Sequence, residues 1–149
     1  MKLDLKPAAT VALFALGAAA PSFAQGTDYL RAAEEAAARG DRLTATQLYQ
    51  SAMIAAPKTT EPYLRLAAFY AGDQQWVLAR KYYAIALELE PANPPALAGL
   101  AFAALARGDV AAAQYSYDIL METCAPGCAE ANDIGNAIAA HGPPTTTSE

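Results

Sequence analysis

The sequence predicts an all-α protein, a solenoid of antiparallel helix pairs with about seven helices in all. Three observations predict it. The chain has 149 residues, and 39 of them are alanine, the residue with the best intrinsic helix propensity. Pro57 and Pro91 stand 34 residues apart, and the residues before them recur at that spacing. Glycine–aspartate pairs (Gly40-Asp41, Gly72-Asp73 and Gly108-Asp109) punctuate the helical stretches. With 54% hydrophobic and 17% charged residues, the chain suits one folded domain and is too apolar to be disordered throughout.

The N-terminus reads as a targeting segment. Lys2 and Lys6 precede an uncharged run from Pro7 to Ala20. That run has the length of a signal-peptide core and is short for a bilayer span. Ser22 and Ala24 are small residues two apart, the pattern of a cleavage site. Residues 1–24 are therefore expected to be a signal peptide, cut after Ala24. The mature chain is expected to be periplasmic or secreted, with no membrane insertion and no cysteine at the cut to accept lipid.

The domain is expected to span 25–141. In the first unit (26–59), Asp28 is the expected N-cap of a helix from Tyr29 to Arg39. Gly40 then suits the left-handed position after a helix, and a second helix runs from Leu43 to Ala55. The second unit (60–93) places helices at Glu61–Ala71 and Trp76–Leu89 around Gly72-Asp73. The third (94–127) places them at Pro95–Ala106 and Val110–Cys124 around Gly108-Asp109. Pro57, Pro62, Pro91, Pro94 and Pro95 fall between units, where a fixed φ and a missing N–H stop one helix or start the next. A seventh helix, Glu130 to Ala140 within 128–141, carries Ile134, Gly135 and Ile138 in the register of Leu100, Ala101 and Ala104. It reads as a cap on the last apolar face. Residues 142–149 (GPPTTTSE) are expected to be a disordered tail.

The recurring residue types have a packing logic. Two helices approach closely only where side chains are small, and Ala33, Ala67 and Ala101 offer that gap in the first helices. Ala45, Ala79 and Ala113 offer it in the second, beside Tyr49, Tyr83 and Tyr117. Tyr63, Leu66, Ala67, Tyr70, Ala79, Tyr83, Ala86 and Pro91 make the middle unit the fullest copy. In these residues the unit resembles the tetratricopeptide repeat (TPR), a 34-residue helix-turn-helix module that stacks with its neighbours. The resemblance covers roughly 26–141. The first unit departs from it with Ala32, Ala33 and Ala36 where larger residues are usual, so its first helix is expected to pack loosely. The third departs at Leu120 and at Ala125, with proline displaced to Pro126.

Composition excludes several functions. The only histidine, His141, leaves no His-centred triad or His-rich metal site. A net charge of −5 with scattered basic residues provides no nucleic-acid footprint. Glu34-Glu35 has no identifiable acid partner for glycosidase chemistry. The protein is expected to be non-enzymatic and to need no cofactor or metal.

The TPR resemblance implies a concave groove lined by the first helices. Carried over by register, it is formed by Leu30, Arg31, Glu34, Leu64, Arg65, Ala68, Ala98, Phe102, Asn132 and Asn136. Chaperone-binding members use charge where this chain has Leu30, Leu64 and Ala98, so a carboxylate clamp is not expected. The expected partner is an apolar segment of a protein or peptide, anchored by Leu64 and Phe102, with Asn132 and Asn136 bonding its backbone. Leu30, Leu64 and Phe102 read equally well as core, and the two amides as solvated cap residues. Trp76 and Tyr82 are expected on second helices, in packing or on the convex side.

Cys124 and Cys128 flank Ala-Pro-Gly. In an oxidising compartment such a pair suggests a disulfide, worth about 2 kcal/mol for so short a loop. The leading reading is an exported scaffold or adaptor, with a place in assembling an envelope complex. The alternatives are a self-associating homo-oligomer, or a soft-metal or redox role for the two cysteines with Met121.

Overall fold

The computed structural model describes residues 22–124 and 128–142. The described residues form seven helices and no strand: α1 (Ser22–Ala38), α2 (Arg42–Ala55), α3 (Glu61–Gly72), α4 (Trp76–Leu89), α5 (Pro94–Leu105), α6 (Val110–Thr123) and α7 (Ala129–His141). Most of the expected signal segment, the loop at 125–127 and all but the first residue of the expected tail lie outside the described residues.

Helix starts follow local chemistry. Asp41 accepts the backbone N–H of Thr44 (3.1 Å) at the start of α2, and Asp109 accepts that of Ala112 (3.0 Å) at the start of α6. Asn93 accepts from Ala96 (3.0 Å) ahead of Pro94 at the start of α5. Each cap satisfies one N–H that the first turn leaves without a helical partner.

Two expected boundaries are corrected. Asp28 lies inside α1, which begins by Ser22. The earlier turns are supported by packing, since Gly26 is buried and a Cβ there would press on Ala56 at 3.2 Å. The middle turn is also shifted. Gly72 is the last residue of α3, and the left-handed position falls at Gln74 (φ 58°). Gly40 (φ 78°) and Gly108 (φ 77°) hold that position in the other units. Residues 40, 74 and 108 are the true 34-residue register, and Gly72-Asp73 sits two positions early. Asp73 forms an ion pair with Arg42, joining the first two units.

The alanine logic holds. Ala33, Ala67, Ala101, Ala45, Ala79 and Ala113 are all fully buried. Tyr49 and Tyr83 are buried and Tyr117 half-buried. The Tyr83 ring lies so close to Gly99 that a Cβ there would overlap it, and Tyr117 covers Gly135. The first pair is not loose: Ala33 and Ala36 have no exposed surface, so small side chains bring α1 nearer to α2 instead of leaving gaps.

The core has two clusters. The first, in α1–α4 and reaching Ala96 at the start of α5, gathers Leu66, Tyr49, Tyr70 and Tyr83 with the buried alanines. Its rings run in sequence, Tyr49–Phe69 (5.6 Å), Phe69–Tyr70 (5.9 Å) and Tyr70–Tyr82 (5.7 Å, stacked). The second joins Leu97, Leu105, Leu120 and Ile134 of α5–α7, with Cys124 and Cys128 packed against it. A disulfide ties those cysteines, with α-carbons 6.0 Å apart, linking the end of α6 to the start of α7.

Neighbour relations fix the curvature. α1 packs on α3, α3 on α5 and α5 on α7, whereas no α-carbons of α2 and α4, or of α4 and α6, come within 8 Å of each other. The first helices of the pairs close ranks on one side and the second helices splay on the other. The first-helix side is the inner face, and the 34-residue register carries into space as rows along it.

Candidate partner-binding groove

Three rows run along the inner face. The row Glu34, Ala68, Phe102 and Asn136 is exposed in every unit. It is the open floor of the groove. Phe102, 40% exposed, is its one large apolar side chain.

The row Leu30, Leu64, Ala98 and Asn132 behaves differently. Leu30 and Leu64 are half-buried and pack against the first core cluster. Ala98 is buried and belongs to the second cluster, which corrects its assignment to the groove. α5 is apolar nearly all round, and Ala98 sits in a cluster with buried residues of α6 and α7. Only Asn132 is open in this row. Leu64 is therefore divided between core and groove, and Phe102 is the freer anchor.

The third row is Arg31, Arg65, Gly99 and Asp133. Asp133, exposed on α7, was missed, although two further steps of 34 from Arg65 reach it; Gly99, one step on, lies under the Tyr83 ring of α4 and offers the groove no side chain. Arg31 approaches Glu35 (3.4 Å) and Asp28 (3.9 Å). Arg65 donates Nε to Glu61 (2.6 Å) and lies 3.4 Å from Glu34. The Glu61 hydrogen bond holds the Arg65 guanidinium above its ordinary range, so it stays charged. Behind it, burial pushes the Tyr49 phenol up, with a smaller push from Glu34. Both groove cations are thus engaged by this chain's own carboxylates.

The two ends of the groove therefore differ. The α1–α3 end is a lattice of paired charges over half-buried leucines. The α5–α7 end offers a free aromatic ring and two exposed amides, Asn132 and Asn136, one helical turn apart. Trp76 and Tyr82 lie on α4, half-buried, as expected of second-helix packing. No helix among the described residues is long and apolar enough to cross a membrane.

Comparison with solved structures places this architecture. The first TPR of Spaghetti (RPAP3), bound to the HSP90 peptide SRMEEVD, superposes with a TM-score of 0.68 at 18% identity, over 79% of this chain and 94% of that one. The TPR2B domain of yeast Sti1, in complex with pHsp70, gives 0.70 at 20% identity over 79% and 96%. The Yersinia enterocolitica type III secretion chaperone SycD, in complex with a peptide of the translocator YopD, gives 0.65 at 17% identity over 77% and 87%. No family model matches the sequence, and no curated protein does. The chain has the fold of a TPR domain, an α-solenoid of three helix pairs and a closing helix.

Proposed function

We propose that this protein is a non-enzymatic interaction module that holds an apolar segment of another protein along its inner face. The observation that carries the reading is the open row Glu34, Ala68, Phe102 and Asn136. Its charges are paired at one end, and its free ring and amides gather at the other. Phe102 is the anchor, since a large apolar ring desolvated by a partner dominates such contacts. Asn132 and Asn136 supply donors and acceptors for the partner's backbone. Leu64 and Ala68 extend the apolar track, while Leu30, Arg31, Glu34 and Arg65 form its charged mouth. An acidic peptide such as SRMEEVD is a poor occupant, because Arg31 and Arg65 already face carboxylates.

The setting we infer is extracytoplasmic: residues 1–24 direct export, the cut follows Ala24, and the Cys124–Cys128 disulfide persists in the oxidising compartment. A mature protein beginning at Gln25, read by intact mass, is the expected result. For the groove, Phe102→Ala with Asn136→Ala should lower capture of the partner at least tenfold with an unchanged melting curve. Equal capture by the double variant would defeat the reading.

A further inference from the structure

Because the backbones of α4 and α6 stand apart, a cleft of about 540 Å³ opens on the outer face with α5 as its floor. Leu100 and Ala104 form the floor, Ala84 and Ala112 flank it, and Tyr115, 69% exposed, stands at the rim. Arg80 and Arg107 also line it. Neither has an ion pair or side-chain hydrogen bond among the described residues, whereas Arg31, Arg42 and Arg65 each face a carboxylate. In a chain of net charge −5, the cleft thus collects two guanidiniums that internal acids leave free. Its own carboxylate, Asp109, is held by the Ala112 N–H at the start of α6. The cleft keeps a net positive balance beside an apolar floor.

The sister cleft between α2 and α4 is the internal comparison. It has a similar volume, about 560 Å³, but contains no arginine. Its one cation, Lys81, sits 5.4 Å from the centre of the Tyr82 ring. The difference is in the charge and not in the size.

We propose that the α4–α6 cleft binds a small organic carboxylate with a flat apolar body. The guanidinium fork matches a carboxylate with two parallel N–H donors, which an ammonium cannot do. The apolar body would lie on Leu100 and Ala104 and under the Tyr115 ring. The volume falls within the range of small-molecule pockets.

The test titrates 2-naphthoate into the full chain and follows backbone amide shifts by NMR. Saturable shifts centred on Ala84, Leu100 and Tyr115 are expected. The neutral analogue 2-naphthalenemethanol should bind about tenfold more weakly, as should 2-naphthoate with the Arg80→Gln/Arg107→Gln variant. Inorganic phosphate, which lacks the apolar body, should also bind about tenfold more weakly. The arginines are exposed and unpaired, so the variant should keep the native melting curve; the two analogue arms use the unaltered chain and do not depend on it. The absence of saturable shifts would overturn the proposal. So would shifts centred on the inner row, undiminished binding by the variant, or equal binding of the alcohol or of phosphate.

Discussion

The front of the molecule (α1–α4) and its rear (α5–α7) share one repeat but are held by different forces. The front core is aromatic, and every ion pair among the described residues lies there. The rear core is aliphatic and is closed by a disulfide. The repeat fixes the alanine spacing that lets helices meet and leaves the rest of each unit free to vary. That freedom gives the groove a mouth whose charges are satisfied and a far end whose ring and amides are not.

The largest way to break the front is Leu66→Ala. Leu66 is fully buried at the middle of the aromatic cluster, and removing it should cost about 2–5 kcal/mol. Denaturant unfolding would measure the loss. If the two cores fold as one unit, rear amides should lose hydrogen-exchange protection along with front ones.

Gly99→Ala strikes where front meets rear, because Tyr83 of α4 lies on Gly99 of α5. Alanine gains up to about 1 kcal/mol in helix propensity. Overpacking against a buried ring costs about 1–3 kcal/mol, so the net should be destabilising. A raised melting temperature would show that the ring moves aside easily.

Reducing the disulfide should act on the rear alone and cost about 2 kcal/mol. Exchange in α7 should quicken while α1 and α2 keep their protection. Uniform quickening would mean that the bridge supports the whole stack.

The smallest expected effect is a pH dependence at the joint. Hydrogen bonds from Thr60 and then Asn93 hold the Glu90 carboxyl below its ordinary range. A lowered folded value means that the linked stability is present above the unfolded glutamate value of about 4.3 and fades as pH falls through the folded one. Thermal melts should therefore show Glu90→Gln less stable than the parent near neutrality, with the gap closing in acid.

Much of this was legible in the residues. The 34-residue recurrence of Ala33/67/101 and Ala45/79/113 located the crossings, because only small side chains fit there. The second-helix start at Trp76 and end at Leu89 followed from the same register. Gln74 was not legible, since a glycine two residues earlier imitates the turn signal and nothing local marks glutamine for a positive φ. Asp28 misled for a similar reason: it is a good cap, but the burial of Gly26 against α2 carries α1 past it. In the groove, register identified the rows but could not say how deeply each sits. Leu64, Ala98 and Phe102 are all apolar, and only the packing of α5 separates the buried Ala98 from the exposed Phe102. The outer cleft was missed because Arg80 and Arg107 are far apart in sequence, Arg80 has no arginine at its equivalent positions, and Arg107 recurs only as Arg39 in the turn of the first unit.

The central claim is that the inner row carries the partner. Site-directed photo-crosslinking tests it most directly, with the crosslinker placed in turn at positions 68, 102 and 136 of the inner row and at 43 and 77 on the outer helices. Crosslinks to one and the same partner from 102 and 136, and none from 43 or 77, is the predicted result. Equal crosslinking from the outer positions, or none from 102, would contradict it.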